Sequence, residues 1–469
     1  MKLFNTQTGK KEDFVPIEAG KVKMYVCGPT VYDYIHVGNS RPVILFDALR
    51  RYLEFRGYAV TFVQNFTDVD DRIIDRANRE GVSCDELTER FIQEFLTDAR
   101  GLGVHEATHN PKATENIAGI VEAVQTLIDK GYAYESAGDV YFRTGKFAPY
   151  GKLSGQNLEE LQAGARISVG ETKESPMDFV LWKAAKPDEP SWPSPWGEGR
   201  PGWHIECSVM VNRYLGKTID IHAGGQDLVF PHHENEVAQS EALNGCTFAN
   251  FWLHNGFLSI DSRKMSKSLG NFFTVREAAE AYGYDTIRMF MLMSHYRSPL
   301  NYSGEILLQA KNALERLYTA VDNLEFLTKN AEAEALSLEE QSFLDGLPAY
   351  RERFIQAMDD DFNTADGISV IFELVREVNS MTAALKTPSK AFAAACLSAI
   401  RELSDVLGLF YAKSTEEESL DDKVEALIAA RLEARAAKNW AEADRIRDEL
   451  GEMGILLEDT PQGVKWKKV

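Results

Sequence analysis

Cys27, Cys207, His232 and Glu236 are residues of types able to hold a soft divalent cation. Cys27 closes an apolar run, and Cys207 sits in Trp203-His-Ile-Glu-Cys-Ser. Pro231-His-His-Glu-Asn-Glu236 reads as a helix opening, with proline suited to its first position. His232 and Glu236 are four residues apart, so a helix turns both toward one ion. Two thiolates, an imidazole and a carboxylate make a borderline-soft set that favours Zn²⁺. The sequence has no Cys-x-x-Cys pair, and the pattern alone admits His233 in place of His232. Two cysteines can equally be small buried apolar residues.

Two further segments suit phosphate chemistry. Pro29-Thr-Val-Tyr-Asp-Tyr-Ile-His36-Val-Gly38-Asn39 stands between a strand pattern and a helix pattern. Free N–H groups and the dipole at a helix start favour anions, and Gly38 lets a ring or a phosphate approach the backbone closely. A plain turn is the competing reading. Lys264-Met-Ser-Lys267-Ser, followed by Leu269-Gly270-Asn271, offers two cations and a glycine hinge for charge building up on phosphate oxygens. A solvated surface loop would have the same composition.

The elements that must position these residues are legible in outline. Lys21–Cys27 reads as a buried strand, Pro42–Gly57 as an amphipathic helix ending on glycine, Val60–Asn65 as a strand and Asp70–Glu80 as a helix. Strand, helix, strand begins a parallel α/β sheet. Five of the 16 prolines fall between residues 187 and 201, so that stretch is a shaped loop closing an insertion over about 111–200. The α/β pattern returns with Trp203–Asn212, a strand at Thr218–His222, a Gly-Gly turn and the helix from Pro231. From Glu305 to about 411 only helical spacing remains, as in Leu314, Leu317, Val321 and Leu324. An acidic linker is expected over Lys413 to Lys423. A helix through Leu450 follows, then a hairpin of Ile455–Glu458 and Val464–Lys468.

With 469 residues, 44% apolar and 26% charged, the chain is a folded protein of about three domains, and disorder is excluded. No apolar run approaches the roughly 18–20 residues of a membrane span. Five scattered cysteines argue against a disulfide framework, and the N-terminus carries no secretory pattern, so a cytoplasmic location is expected. The net charge of −21 disfavours indiscriminate polyanion binding, yet leaves room for a local basic track.

Taken together, YVCGPTVYDYIHVGN (25–39), PGWHIEC (201–207), GGQDLVFPHHENE (224–236) and KMSKS (264–268) resemble bacterial cysteinyl-tRNA synthetases. DDDFNTA (359–365) and AEADRIRDELGEMGILLEDTPQGVKW (441–466) extend the resemblance over essentially the whole chain, in order. His36–Asn39 departs from the class signature His-Ile-Gly-His at its second and last positions, and asparagine at the last is usual in that family. The resemblance implies a Rossmann-like α/β nucleotide-binding catalytic domain over 1–305 that contains the insertion. An α-helical bundle binding tRNA over 306–411 and a small C-terminal α+β anticodon-binding unit over 423–469 would follow.

The implied reaction is ATP-dependent ligation of L-cysteine to tRNA(Cys) through a cysteinyl-adenylate, with Mg²⁺ accompanying ATP. One Zn²⁺ per chain and a monomer with no membrane partner are implied as well. His36, Lys264 and Lys267 would be catalytic, and ATP would lie on His36, Gly38, Asn39, Asp227 and Lys267, with Asp227 on the ribose hydroxyls. Gly28, Thr67 and Trp203 would line the cysteine pocket, and Cys27, Cys207, His232 and Glu236 would bind the metal with support from His222. A core role for Trp203 and an Asx turn at Asp227 are the plain alternatives. In the last unit, Arg431, Arg435, Lys438, Arg445 and Arg447 could hold phosphates while Trp440 or Trp466 stacks on a base, unless those rings form the unit's core. A ligase joining cysteine to an amino sugar would use the same catalytic residues but lacks units after about 410. A catalytically silent paralogue would be expected to break the set, which is intact here.

Overall fold

A computed structural model of the chain describes residues 1–156, 173–187, 189–260, 263–264, 273–385, 387–411, 417–460 and 463–468. The described residues divide into two compact units, one of 1–308 with 358–365, the other of 309–357 with 366–469.

The first unit is organised by a parallel sheet of four strands. In spatial order these are Ala249–Asn255, Ile219–Gly225, Lys21–Val26 and Ala59–Gln64. The strands bury their carboxyl halves on both faces, as a sheet covered by helices must. Chain order reverses between Lys21–Val26 and Ile219–Gly225. The first of these strands continues outward to Ala59–Gln64, and the second to Ala249–Asn255. Such a switch point opens a crevice beyond the carboxyl ends of the two central strands, where ligands bind in open α/β sheets.

Helix Val37–Phe55 joins the first two strands, with His36 as its N-cap and Gly57 at a left-handed φ of 88° just past its end. Pro42 lies inside this helix, past its first turn, and so removes one donor from the helical ladder. The second helix runs Asp71–Glu80, capped by the Asp70 side chain.

The insertion carries its own antiparallel sheet, Ala133–Ser136, Asp139–Phe142, Phe179–Ala184 and Gly199–Pro201 in order. Its proline-rich loop returns as the edge strand Gly199–Pro201, the position in a sheet that tolerates proline. Helices Trp203–Tyr214 and Glu234–Asn244 then pack through Ile205, Val209, Val237 and Ala238.

The expected helix opening at Pro231 is present as a helical turn over 231–233 that runs directly into helix Glu234–Asn244. Phe230 is extended, at φ −139° and ψ 131°, because a residue before proline is driven out of the α region. The regular helix starts at Glu234, two residues past His232.

Over 309–357 and 366–406 the second unit is mainly helical, with Leu338–Leu344, most of Thr364–Ala384 and Lys390–Val406 among its helices. The acidic stretch expected as a linker lies outside the described residues over 412–416 and is helical from Glu417. Helices Glu417–Ala436 and Trp440–Glu452 and the hairpin Ile455–Thr460 with Gly463–Lys468 complete the chain. Val424, Ile428, Ile446, Leu450 and Ile455 form a small core there, with Trp466 packed against it. Trp440 is 60% exposed, so the two tryptophans divide between the alternatives. No helix among the described residues is long and apolar enough to cross a membrane.

Candidate functional site

Strand register brings the site together. Val26 pairs with Ala223, and Cys27 continues the pairing by donating its N–H to the Ala223 carbonyl at 3.2 Å. Cys27 therefore stands beside Gly224, at the switch point. A side chain at Gly224 would meet the His233 ring and Leu228 at 3.0 Å, so glycine here lets that ring approach the strand end closely. Gln239 ties the two flanking helices, donating to the His204 carbonyl at 2.8 Å and to Ser208 Oγ at 2.9 Å. Cys207 and Glu236 are thereby held opposite each other.

Cys27, Cys207, His232 and Glu236 place one ligand atom each within 4.8 Å of all the others. The two Sγ atoms are 4.0 Å apart, Cys207 Sγ is 3.7 Å from His232 Nε2, and His232 Nε2 is 3.0 Å from Glu236 Oε1. Cys27, His222, His233 and Glu236 form an overlapping group of the same compactness. The first group suits zinc better because it uses both thiols. It also leaves the second group's histidines to hold their neighbours: His222 Nε2 lies 2.8 Å from Glu236 Oε2, and His233 Nδ1 lies 2.8 Å from His254 Nε2. Ring partners of this kind fix the orientation of metal ligands. His232 is held in the same way, by His204 at 2.8 Å and by the Trp203 ring stacked at 4.1 Å.

The electrostatics of the cluster match a cation's environment. Burial opposes charge on Glu236, yet His222 and His232 hold its carboxyl down to about 2. Burial likewise opposes charge on His232, while Glu236 and Cys207 raise it to about 10. The hydrogen bond from Cys27, with help from His232, draws the Cys207 thiol down to about 6 against its burial. Burial and the neighbouring Cys207 push the Cys27 thiol up. Two thiols crowded against a buried carboxylate repel once ionised, and a divalent ion among them removes the conflict. The donor set fits zinc.

Around this cluster lie the other expected residues. Trp203 is half-buried, so it covers His232 and keeps part of its ring open. Thr67 Oγ1 donates to Glu206 at 3.2 Å, and Gly28 N donates to Asn65 Oδ1 at 2.9 Å. Asp227 is exposed in the turn Gln226–Leu228 and borders a cavity of about 790 Å³ that His254 and Phe257 also line.

His36 caps its helix, with Asn39 N donating to its Nδ1 at 3.2 Å. The helix start has fewer free N–H groups than expected, because Val37 N donates to the Phe273 carbonyl at 3.0 Å. Val275 N donates to the Ile35 carbonyl at 2.9 Å, so the chain just after KMSKS is tied to both sides of His36. Lys267 lies outside the described residues, and Lys264 is described only as part of the strand Arg263–Lys264.

His204, His254 and Glu206 escaped the sequence reading. His254 lies near the end of strand Ala249–Asn255 and Glu206 precedes Cys207, and neither forms a spacing pattern with another ligand type. His204 and Glu206 flank Ile205 inside the quoted PGWHIEC segment, which was the one signal available.

Comparison with known proteins follows this geometry. The family of tRNA synthetases class I (C) catalytic domains matches residues 13–312, the DALR domain 353–411, and the cysteinyl-tRNA ligase anticodon binding domain 417–466. The chain is 57% identical to a cysteine–tRNA ligase of Clostridioides difficile (strain 630), over 100% of both chains. It is 56% identical to another from Caldicellulosiruptor saccharolyticus, also over 100% of both. Among solved structures, a Mycobacterium tuberculosis methionyl-tRNA synthetase with methionyl-adenylate is similar at a TM-score of 0.60 and 16% identity, covering 82% of this chain and 89% of that one. A LeuRS of Agrobacterium radiobacter K84, in a ternary complex, reaches 0.61 at 12% identity, over 84% and 85%. At these identities the solved structures bear on the fold alone.

Cys207→Ser is expected to lose most of its Zn²⁺ under mild chelation, since a neutral alcohol replaces a thiolate ligand. Emission spectroscopy on the purified variant checks this. Stoichiometric zinc with an unchanged far-UV spectrum would remove Cys207 from the ligand set.

Proposed function

The chain belongs to the class I cysteine–tRNA ligases, and we propose that it activates cysteine at the four-donor cluster and the adjoining His36 turn. It joins L-cysteine to tRNA(Cys) with ATP as the energy source. The observation that carries the site assignment is the convergence of Cys27, Cys207, His232 and Glu236 at the carboxyl edge of the parallel sheet.

In the first step the cysteine carboxylate attacks the α-phosphorus of Mg²⁺-bound ATP, giving cysteinyl-adenylate as the bond to pyrophosphate breaks. In the second, a ribose hydroxyl of the terminal adenosine takes the acyl group and AMP leaves. Little covalent chemistry falls to the protein, so its residues act by position and charge. His36, at the positive end of its helix, faces the phosphates with Gly38 and Asn39 beside it. Lys267, assisted by Lys264, neutralises charge building on the phosphate oxygens, and Asp227 accepts from the ribose hydroxyls.

Selectivity is the harder requirement. Cysteine and serine differ by one atom, and an apolar pocket separates such pairs by only about 1–3 kcal/mol. Cys27, Cys207, His232 and Glu236 would hold one zinc per chain, and its soft Lewis acidity would favour a thiol ligand over a protonated hydroxyl. His222 holds the second Glu236 oxygen, while Gly28, Thr67 and Trp203 shape the pocket around the amino acid. We assign catalysis to 1–305 with its insertion over 111–200, tRNA binding to 306–411 and anticodon binding to 423–469. The chain acts as a cytoplasmic monomer.

Cysteine-dependent ATP–pyrophosphate exchange tests the reading. Lys267→Ala is expected to slow exchange by roughly 10²–10³-fold with cysteine affinity nearly unchanged, as for loss of one transition-state charge contact. An effect confined to cysteine affinity would move this lysine away from the phosphates.

Residues after 423 enclose a core of their own within the second unit. Deleting 413–469 should keep zinc content and exchange close to the parent values while aminoacylation of tRNA(Cys) falls sharply. Full charging by the truncated chain, still sensitive to anticodon changes, would make this unit an appendage.

A further inference from the structure

Glu206 is a fully buried carboxyl with no task in the account above. It lies on helix Trp203–Tyr214, three residues after Trp203 and directly before Cys207, so the helix turns it toward the same side as the pocket residue. Its Oε2 accepts the Thr67 hydroxyl proton at 3.2 Å, and its Oε1 is buried without a hydrogen-bond partner among the described residues. A residue kept for packing alone would be better served by leucine or methionine, because an unpaired buried oxygen is destabilising.

The surroundings of Thr67 define what its oxygen can still do. Asn65 Nδ2 donates to Thr67 Oγ1 at 3.4 Å, and Asn65 Oδ1 takes the N–H of Gly28 at 2.9 Å. Thr67 N donates to the Pro29 carbonyl and Val31 N to the Thr67 carbonyl, both at 3.2 Å. A side chain at Gly28 would sit 1.7 Å from the Asn65 carbonyl oxygen, so the two segments approach as closely as only glycine permits. They are laced together just beyond the carboxyl ends of the two strands, on the edge that binds ligands. A hydroxyl has one proton and two lone pairs. At Thr67 the proton goes to Glu206, one lone pair goes to Asn65, and one lone pair remains.

An acceptor of this kind fits the α-ammonium of an amino acid, which has three donors and no acceptor. It does not fit the substrate's carboxylate. We propose that Glu206 is a positioning residue: by holding the Thr67 proton it presents the Thr67 oxygen as a fixed acceptor for the α-ammonium of cysteine. This rests on the reading that Thr67 lines the cysteine pocket.

The test uses the zinc-loaded full-length enzyme in ATP–pyrophosphate exchange, with 3-mercaptopropionate, which lacks the ammonium, as a competing probe. Glu206→Met and Thr67→Val should each raise KM for cysteine about 10-fold or more, with kcat within about 3-fold and zinc unchanged. The inhibition constant of 3-mercaptopropionate should not move in either. Glu206→Gln keeps the acceptor and should stay within about 3-fold of the parent KM. The double variant should be no worse than the poorer single one, as for residues acting as one unit.

A normal KM in Thr67→Val would overturn the pocket reading itself. A raised KM in Thr67→Val with a normal one in Glu206→Met would overturn the positioning role alone. Should Glu206→Met fail to hold zinc, Glu206→Gln still decides. If its KM rises about as far as that of Thr67→Val, the carboxyl acts through something other than its acceptor geometry, and the proposal falls.

Discussion

A carboxylate with no exposed surface must be paired, and Glu236 is such a group. One of its oxygens meets His222 at 2.8 Å and the other meets His232 at 3.0 Å. Those two contacts require strand Ile219–Gly225, which carries His222, and the turn before helix Glu234–Asn244, which carries His232, to keep one fixed relation. Cys27 comes from the neighbouring central strand and Cys207 from the packed helix, so four separate elements converge on one buried charge. Sheet order, the Gly224 contact and the Gln239 tie between the helices all act to keep that convergence.

The elements themselves were largely legible in the sequence. Strand, helix and strand from Lys21 to Gln64 stood out because buried apolar runs are punctuated by glycine and by capping residues, and those signals are local. Which strands lie side by side was not legible. Residues 27 to 218 separate the two central strands, and nothing within either run encodes its partner. The same limit applied to the ligands. Pattern alone could not rank His232 against His233, since adjacent residues are separated only by what each ring meets in three dimensions. In the fold, His233 is turned toward Cys27 at 3.2 Å and His254 at 2.8 Å, while His232 is turned toward Cys207 and Glu236.

DDDFNTA is a case where the residues were visible and their work was not. Each of its three aspartates is paired. Asp359 accepts from Tyr52 at 2.6 Å and from Arg56, and Asp360 meets Lys11 at 2.7 Å. Asp361 takes Phe4 N at 2.7 Å, Tyr296 at 3.0 Å and Arg297 at 2.6 Å. Asp361 and Phe362 both adopt left-handed backbone, at φ 65° and 51°, a strain tolerated only where surrounding bonds over-determine it. A run of acidic residues usually means a solvated face. Here it is a turn that fastens the N-terminal hairpin and the first helix of the same unit.

An acidic protein that binds tRNA must also keep its cations available. In the last unit, Arg445 bridges Glu442 at 2.7 Å and Glu449 at 2.9 Å, and Arg447 lies 3.3 Å from Asp444. These are exposed pairs within one helix, which add little to stability and are readily screened. A phosphate offers each guanidinium a stronger, bidentate partner and releases counterions as it binds. The same acidic neighbours that give the chain its net charge of −21 therefore hold the arginines in place without occupying them permanently. They also raise the penalty for nucleic acids that meet only part of the surface, because a contact that fails to replace Glu442 or Asp444 must face them. Negative charge around a few exchangeable arginines thus favours a polyanion whose phosphates can take the place of those carboxylates, and Trp440 stays exposed at the start of the same helix.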